Sequence, residues 1–113
     1  MSFRRRLLTL PVIALAVLPA AGCGGADAPP DPATVNAGRQ VFATSGCATC
    51  HTLAAAGARG TIGPSLDQRV PSRDEVARRV QAGGSGMPSF SERLGESEID
   101  AVAAYVAAVA GRE

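Results

Sequence analysis

The stretch Cys47-Ala48-Thr49-Cys50-His51 constrains this chain more than any other. It puts two of its three cysteines and its only histidine within five positions. The rest of the chain offers little to build a large core. Beyond the N-terminal segment there is no Trp, one Tyr (Tyr105) and two Phe (Phe42, Phe90). The part expected to fold, residues 33–113, is short. A domain of roughly 80 residues struggles to bury enough apolar surface unaided. Something besides side chains is expected to fill its interior.

The preceding residues read as targeting and tether. Arg4, Arg5 and Arg6 precede an apolar run from Leu7 to Leu18, and small residues follow. That order describes an export signal over residues 1–22 rather than a membrane span. The run is also well short of the roughly 20 residues a helix needs to cross a bilayer. Cys23, after Ala20, Ala21 and Gly22, resembles the lipobox cysteine of bacterial lipoproteins, which is lipidated and becomes the mature N-terminus. The alternative is an ordinary cleavage site with an unpaired thiol nearby. Both the general export route and the twin-arginine route fit "FRRRLL". Residues 23–32 then form a Gly/Ala/Pro-rich tether.

Charge excludes one class of partner. The chain has no lysine, and beyond the signal eight arginines face ten acidic residues, a balance near −2. With no basic cluster, nucleic acid is not an expected ligand.

Within the domain the pattern is helical. Asp31 or Thr34 caps a first helix running to about Ala43, with Val35, Gly38, Val41 and Phe42 at helical spacing. Gly38 costs such a helix about 1 kcal/mol relative to Ala, so a packing reason is required. "AAAGARGTIGPSLDQ" reads as a loop. Ser72 to Glu75 is a capping box ahead of Val76, Ala77 and Val80, and Gly83 and Gly84 stop that helix. Ser97 is expected to cap a last helix with Ile99, Val102, Ala103, Val106 and Ala110 on one stripe and Gly111 at its end. No run alternates with period two, so no strand is expected. The reading is all-α, with about three to five helices.

Three chemistries suit Cys47, Cys50 and His51. A structural zinc site needs four ligands, and the second pair is missing. A thioredoxin-like dithiol belongs in a βαβ pattern, which is absent here. Covalent haem attachment fits best. Two cysteines three positions apart lie on neighbouring faces of a helical turn, matching the two vinyl groups on one porphyrin edge, and His51 follows as an iron ligand. A flat apolar macrocycle would also make up the missing core. The iron then needs a second axial partner. Met87, the only methionine beyond the initiator, lies in the irregular segment "SGMPSF", because Pro88 pushes it out of the helical region. A second histidine is not available.

These residues together give a resemblance to class I cytochromes c of the small bacterial and photosynthetic kind, over residues 33–113. The resemblance implies a cytochrome c fold wrapped around one covalent haem c. Gly38 and Phe42 would cross a C-terminal helix at Tyr105. Cys47 and Cys50 would form the thioethers and His51 the proximal ligand. The carbonyl of Pro64, in "GPSL", would orient His51, and Met87 in "GMPSF" would be the distal ligand. The lysine-rich docking face common in that family is missing. Of the arginines, Arg59 or Arg69 is a candidate partner for a haem propionate.

The expectation is a non-enzymatic, lipid-anchored, monomeric one-electron carrier outside the cytoplasm, relaying electrons between a donor and an acceptor at the membrane. Two rivals stand beside it. One is a gas-binding or peroxidase-like haem protein, against which speaks the lack of a distal His or Arg beside the ligand loop. The other is an accessory haem subunit of one oxidase or dehydrogenase.

Overall fold

The computed structural model describes Ala14, Ala16 and residues 28–112. The expected export signal is therefore almost wholly, and the lipidation site Cys23 wholly, outside the described residues.

The elements in chain order are α1 (Pro32–Thr44), α2 (Cys47–Cys50), β1 (Thr52–Leu53), a 3-10 turn (Ala54–Ala56), β2 (Ala58–Arg59), α3 (Leu66–Arg69), α4 (Arg73–Ala82) and α5 (Glu96–Val109). Five α-helices thus dominate the described residues, in line with the expected helical class.

Local chemistry sets the starts of α1 and α4. Asp31 caps α1 by accepting from the Ala33 and Thr34 amides, each at 3.0 Å. Pro32, at the first helical position, has no N–H to leave unpaired. Thr34 is not the cap; its hydroxyl donates to Asp31 instead. At α4, Ser72 accepts from Glu75 N–H at 3.2 Å and Glu75 accepts from Ser72 N–H at 2.7 Å, the reciprocal box expected from sequence. Gly83, at φ +69°, ends that helix.

Three expectations are corrected. Helix α5 starts at Glu96 with Gly95 as its cap, not Ser97. Glu98 reaches back to the Gly95 amide at 2.8 Å, so a carboxylate caps this end where a hydroxyl was expected. A two-residue antiparallel pairing, Thr52 with Arg59 and Leu53 with Ala58, forms where no strand was expected. Two residues are too few for alternation to show. The segment read as a loop contains α3, capped by the Ser65 hydroxyl on the Gln68 amide at 3.3 Å.

Helix α5 is the centre of the fold. Ile99 and every residue from Ala101 to Val106 are buried, so the helix is enclosed on most sides rather than along a stripe. Helices α1 and α4 pack on it. A Cβ on Gly38 would stand 2.6 Å from both the Ala101 carbonyl carbon and the Tyr105 Cβ. Hydrogen at this position is what lets the two backbones meet, which is the packing reason sought. One turn on, Phe42 meets Tyr105 edge-on with ring centroids 5.9 Å apart. Arg73 and Asp100 tie α4 to α5 through two bonds of 3.1 and 2.6 Å. Leu53, 0% exposed, carries the small hairpin into the same core as Val76, Val80, Phe90 and Val102.

Candidate haem site

The turn after α1 builds the first half of the site. Gly46, at φ +82°, lets the chain reverse out of α1 into the single helical turn of α2. Cys47 and Cys50 stand at the two ends of that turn, both free and both half-buried. His51 leaves the turn in extended conformation, φ −111° and ψ 145°, while its N–H still bonds the Cys47 carbonyl at 3.0 Å. Burial pushes the Cys47 thiol pKa up. A catalytic dithiol needs the opposite shift at its attacking thiol, so this shift gives the redox-exchange reading no support. Among the described residues, no three His, Cys, Asp or Glu side chains gather around a common point, so the zinc chemistry has no support.

The imidazole is held from behind. His51 Nδ1 lies 2.8 Å from the Pro64 carbonyl oxygen. A carbonyl only accepts, so Nδ1 carries the proton and donates it. That leaves the Nε2 lone pair free for a metal, the tautomer an iron ligand requires. Two glycines make the approach possible. A Cβ at Gly63 would come within 2.8 Å of His51 Cε1, and one at Gly60 within 2.6 Å of the Cys50 carbonyl carbon and His51 N. Gly60 was not singled out from the sequence, and Gly63 only as the first residue of the GPSL motif. The signal for their close approach to His51 was glycine itself, in a segment otherwise read as loop.

Met87 sits in a tight reversal. The Gly84 and Met87 amides and carbonyls bond reciprocally at 2.8 and 3.0 Å. Residues Gly83 to Gly86 all have positive φ, including Ser85 at +53°. The loop is strapped to α4 by Phe90 N–H on the Val80 carbonyl, 2.9 Å, and by the Ser89 hydroxyl on the Gln81 carbonyl, 2.6 Å. A Cβ on Gly83 would lie 2.7 Å from the Met87 carbonyl oxygen. Cys47 and Met87 both flank the same buried core, each half-exposed. Two arginines lie beside this loop, each engaged with it or with its flank. Arg79 Nη1 reaches the Gly83 carbonyl at 3.4 Å, and Arg93 stacks over Phe90 at 4.4 Å. Arg59 and Arg69 have no ion-pair partner among the described residues.

A pair of free thiols on one turn, a histidine with Nε2 available, and a lone thioether on the rim of a small helical core are the groups that a covalently held haem would use. Comparison with known proteins agrees. Residues 33–106 match the family described as cytochrome c oxidase, cbb3-type, subunit III. Cytochrome c6 of Picosynechococcus is 32% identical over 91% of this chain and 92% of its own. Cytochrome c6 of Alaria esculenta is 31% identical over 64% of this chain and 87% of its own. The crystal structure of the c-type cytochrome SorU from Sinorhizobium meliloti superposes with a TM-score of 0.70 at 41% identity, covering 73% of this chain and 97% of that one. The chain belongs to the cytochrome c family, as a small monohaem class I member, and its cofactor is one covalently bound c-type haem.

Proposed function

We propose that the chain is an exported, lipid-anchored carrier of single electrons, with Cys47 and Cys50 as the haem thioethers and His51 and Met87 as axial ligands. The observation that carries this reading is the 2.8 Å bond from His51 Nδ1–H to the Pro64 carbonyl, set directly after two free thiols on one turn. Bound haem supplies a one-electron couple at its iron.

The chain's own residues do the rest. Pro64 holds the proton on Nδ1 and fixes the ring's orientation. Met87 offers a neutral thioether, which favours the reduced, less positive iron and raises the potential. The bonds from Phe90 and Ser89 to α4 keep its loop in place. Leu53, Val80 and Phe90 keep water out of the adjoining core. The cytochrome c6 relatives support reading the protein as a carrier rather than an enzyme. The signal-like residues 1–22 and the lipobox-like Cys23 support export and anchoring. A tether to the membrane raises the effective concentration of a carrier at membrane-bound donors and acceptors.

A second reading is favoured by one observation. The matched family is described as an oxidase subunit, which fits a haem domain held permanently in one complex. A stable partner that co-purifies from detergent-solubilised membranes selects this reading; a monomer selects the mobile carrier.

The test is an absorption spectrum of the protein, matured in a host that attaches c-type haem, in oxidised, reduced and carbon-monoxide-treated forms. Covalent haem with the weak far-red band of sulfur-ligated ferric iron, unmoved by carbon monoxide, is the expected result. Ready carbon monoxide binding without that band would remove Met87 from the iron and favour a gas-binding protein. In the Met87→Ala variant the band is lost and carbon monoxide binds.

A further inference from the structure

The proximal segments, residues 50–54 and 63–67, are joined by three hydrogen bonds in sequence. Gly63 N–H donates to the Cys50 carbonyl at 2.7 Å. His51 Nδ1–H donates to the Pro64 carbonyl at 2.8 Å, thirteen residues apart. Ala54 N–H donates to Asp67 Oδ2 at 2.7 Å, again thirteen residues apart. The histidine bond is the middle member. One neighbour is a backbone pair, Gly63 with Cys50. The other depends on a side chain.

Asp67 has a second attachment. Its Oδ1 accepts the Gly111 amide at 2.9 Å, 44 residues away, just beyond the end of α5. Gly111 is suited to this contact. It sits at φ +72°, and a Cβ there would lie 3.0 Å from Val70 Cγ2 and 3.2 Å from the Asp67 carbonyl oxygen. Val70 itself, closing α3, holds φ +43°. A branched residue keeps that conformation only when its surroundings enforce it. Half-buried Asp67 therefore joins three pieces of chain: the turn after His51, the segment carrying Pro64, and the C-terminal end of the central helix.

We infer that Asp67 is a positioning residue for the proximal histidine: its carboxylate, bridging the Ala54 and Gly111 amides, keeps the Pro64 carbonyl at bonding distance from His51 Nδ1 and couples that bond to the seating of the C-terminus. The inference rests on His51 being the proximal ligand. A hydrogen bond from Nδ1–H raises the basicity of the ligating imidazole. When Asp67 is removed, the Pro64 segment is held at one end only, the bond loosens and the imidazole donates less to ferric iron. The potential then rises.

The experiment uses the haem-loaded protein and its Asp67→Asn and Asp67→Ala variants. Proton NMR of the reduced form follows exchange of the His51 ring N–H and the Ala54 and Gly111 amides, and redox titration gives the potential. In Asp67→Asn, which keeps the shape and one acceptor oxygen, ring N–H exchange is expected to quicken about fivefold, the equivalent of losing a bond of typical net strength. The potential is expected to move upward, further in Asp67→Ala if that variant folds. Faster exchange at Ala54 and Gly111 with the ring N–H and potential unchanged would overturn the inference and leave Asp67 a cap of the 3-10 turn. A wild-type protein with no protected ring N–H would instead sink the assignment of His51.

Discussion

Replacing Gly38 with Ala probes the contact around which the domain is assembled. The added Cβ would sit 2.6 Å from both the Ala101 carbonyl carbon and the Tyr105 Cβ. Carbon atoms pack at about 3.5–4.0 Å, so α1 and α5 must part by about 1 Å. Ala101 contributes backbone atoms to the clash, and no rotamer change moves them aside. Overpacking of this kind costs about 1–3 kcal/mol, and a backbone clash belongs at the upper end. Ala gains about 1 kcal/mol of helix propensity over Gly, leaving a net loss of about 2 kcal/mol. For a domain of this size that lowers Tm by about 8–16 °C. Unfolding of the haem-loaded protein by heat and by denaturant, followed by circular dichroism, measures it. Gly95→Ala is the control, because its nearest neighbour would be Glu98 Oε2 at 3.8 Å, and its cost should stay within about 1 kcal/mol. A Gly38→Ala protein as stable as the wild type would show that the helices do not meet in this register.

Gly63→Ala drives a methyl group against His51 Cε1, so it should shift the haem absorption bands and lower Tm, whereas the same change at Gly57, with nothing within 4 Å, should leave the spectrum unchanged. Arg73→Ala removes the two-bond pair with Asp100; because these side chains are 31% and 58% exposed, the loss should be only about 0.5 kcal/mol and should shrink with added salt. The Ser72 amide, through its bond, holds the Glu75 pKa below the usual carboxylate range. Stability from this cap is therefore fully present above that range and is lost as pH falls through the lowered value. Glu75→Gln should flatten the acid limb of the Tm-against-pH curve.

Much of the candidate site was legible in advance because its parts are close in sequence. Cys47, Cys50 and His51 share one turn, and a helical turn places residues three apart on neighbouring faces whatever surrounds it. Asp31 and the Ser72–Glu75 box announce their helices for the same reason: each bonds amides two or three positions away. The start of α5 was misplaced because Ser97 is a better cap by residue type than Gly95, while the group that closes that end is Glu98 reaching back from within the helix.

Other features depend on where distant segments arrive. A glycine in a helix is a weakness when read alone; only the crossing with Ala101 and Tyr105 makes Gly38 necessary. Asp67 looks like an ordinary acidic residue in a loop, yet it receives amides from positions 54 and 111. The sequence by itself determined the covalent chemistry, the helix start at Ser72 and the helical class, since each is decided by bonds within one or two turns; it narrowed the first cap to Asp31 or Thr34, and the structure selects Asp31. The Pro64 carbonyl stands against His51 as the family resemblance implied, but only the tertiary structure decided which glycines are indispensable beside that ring and that Asp67 joins positions 54 and 111, because those contacts exist only after loop closures that no local pattern specifies.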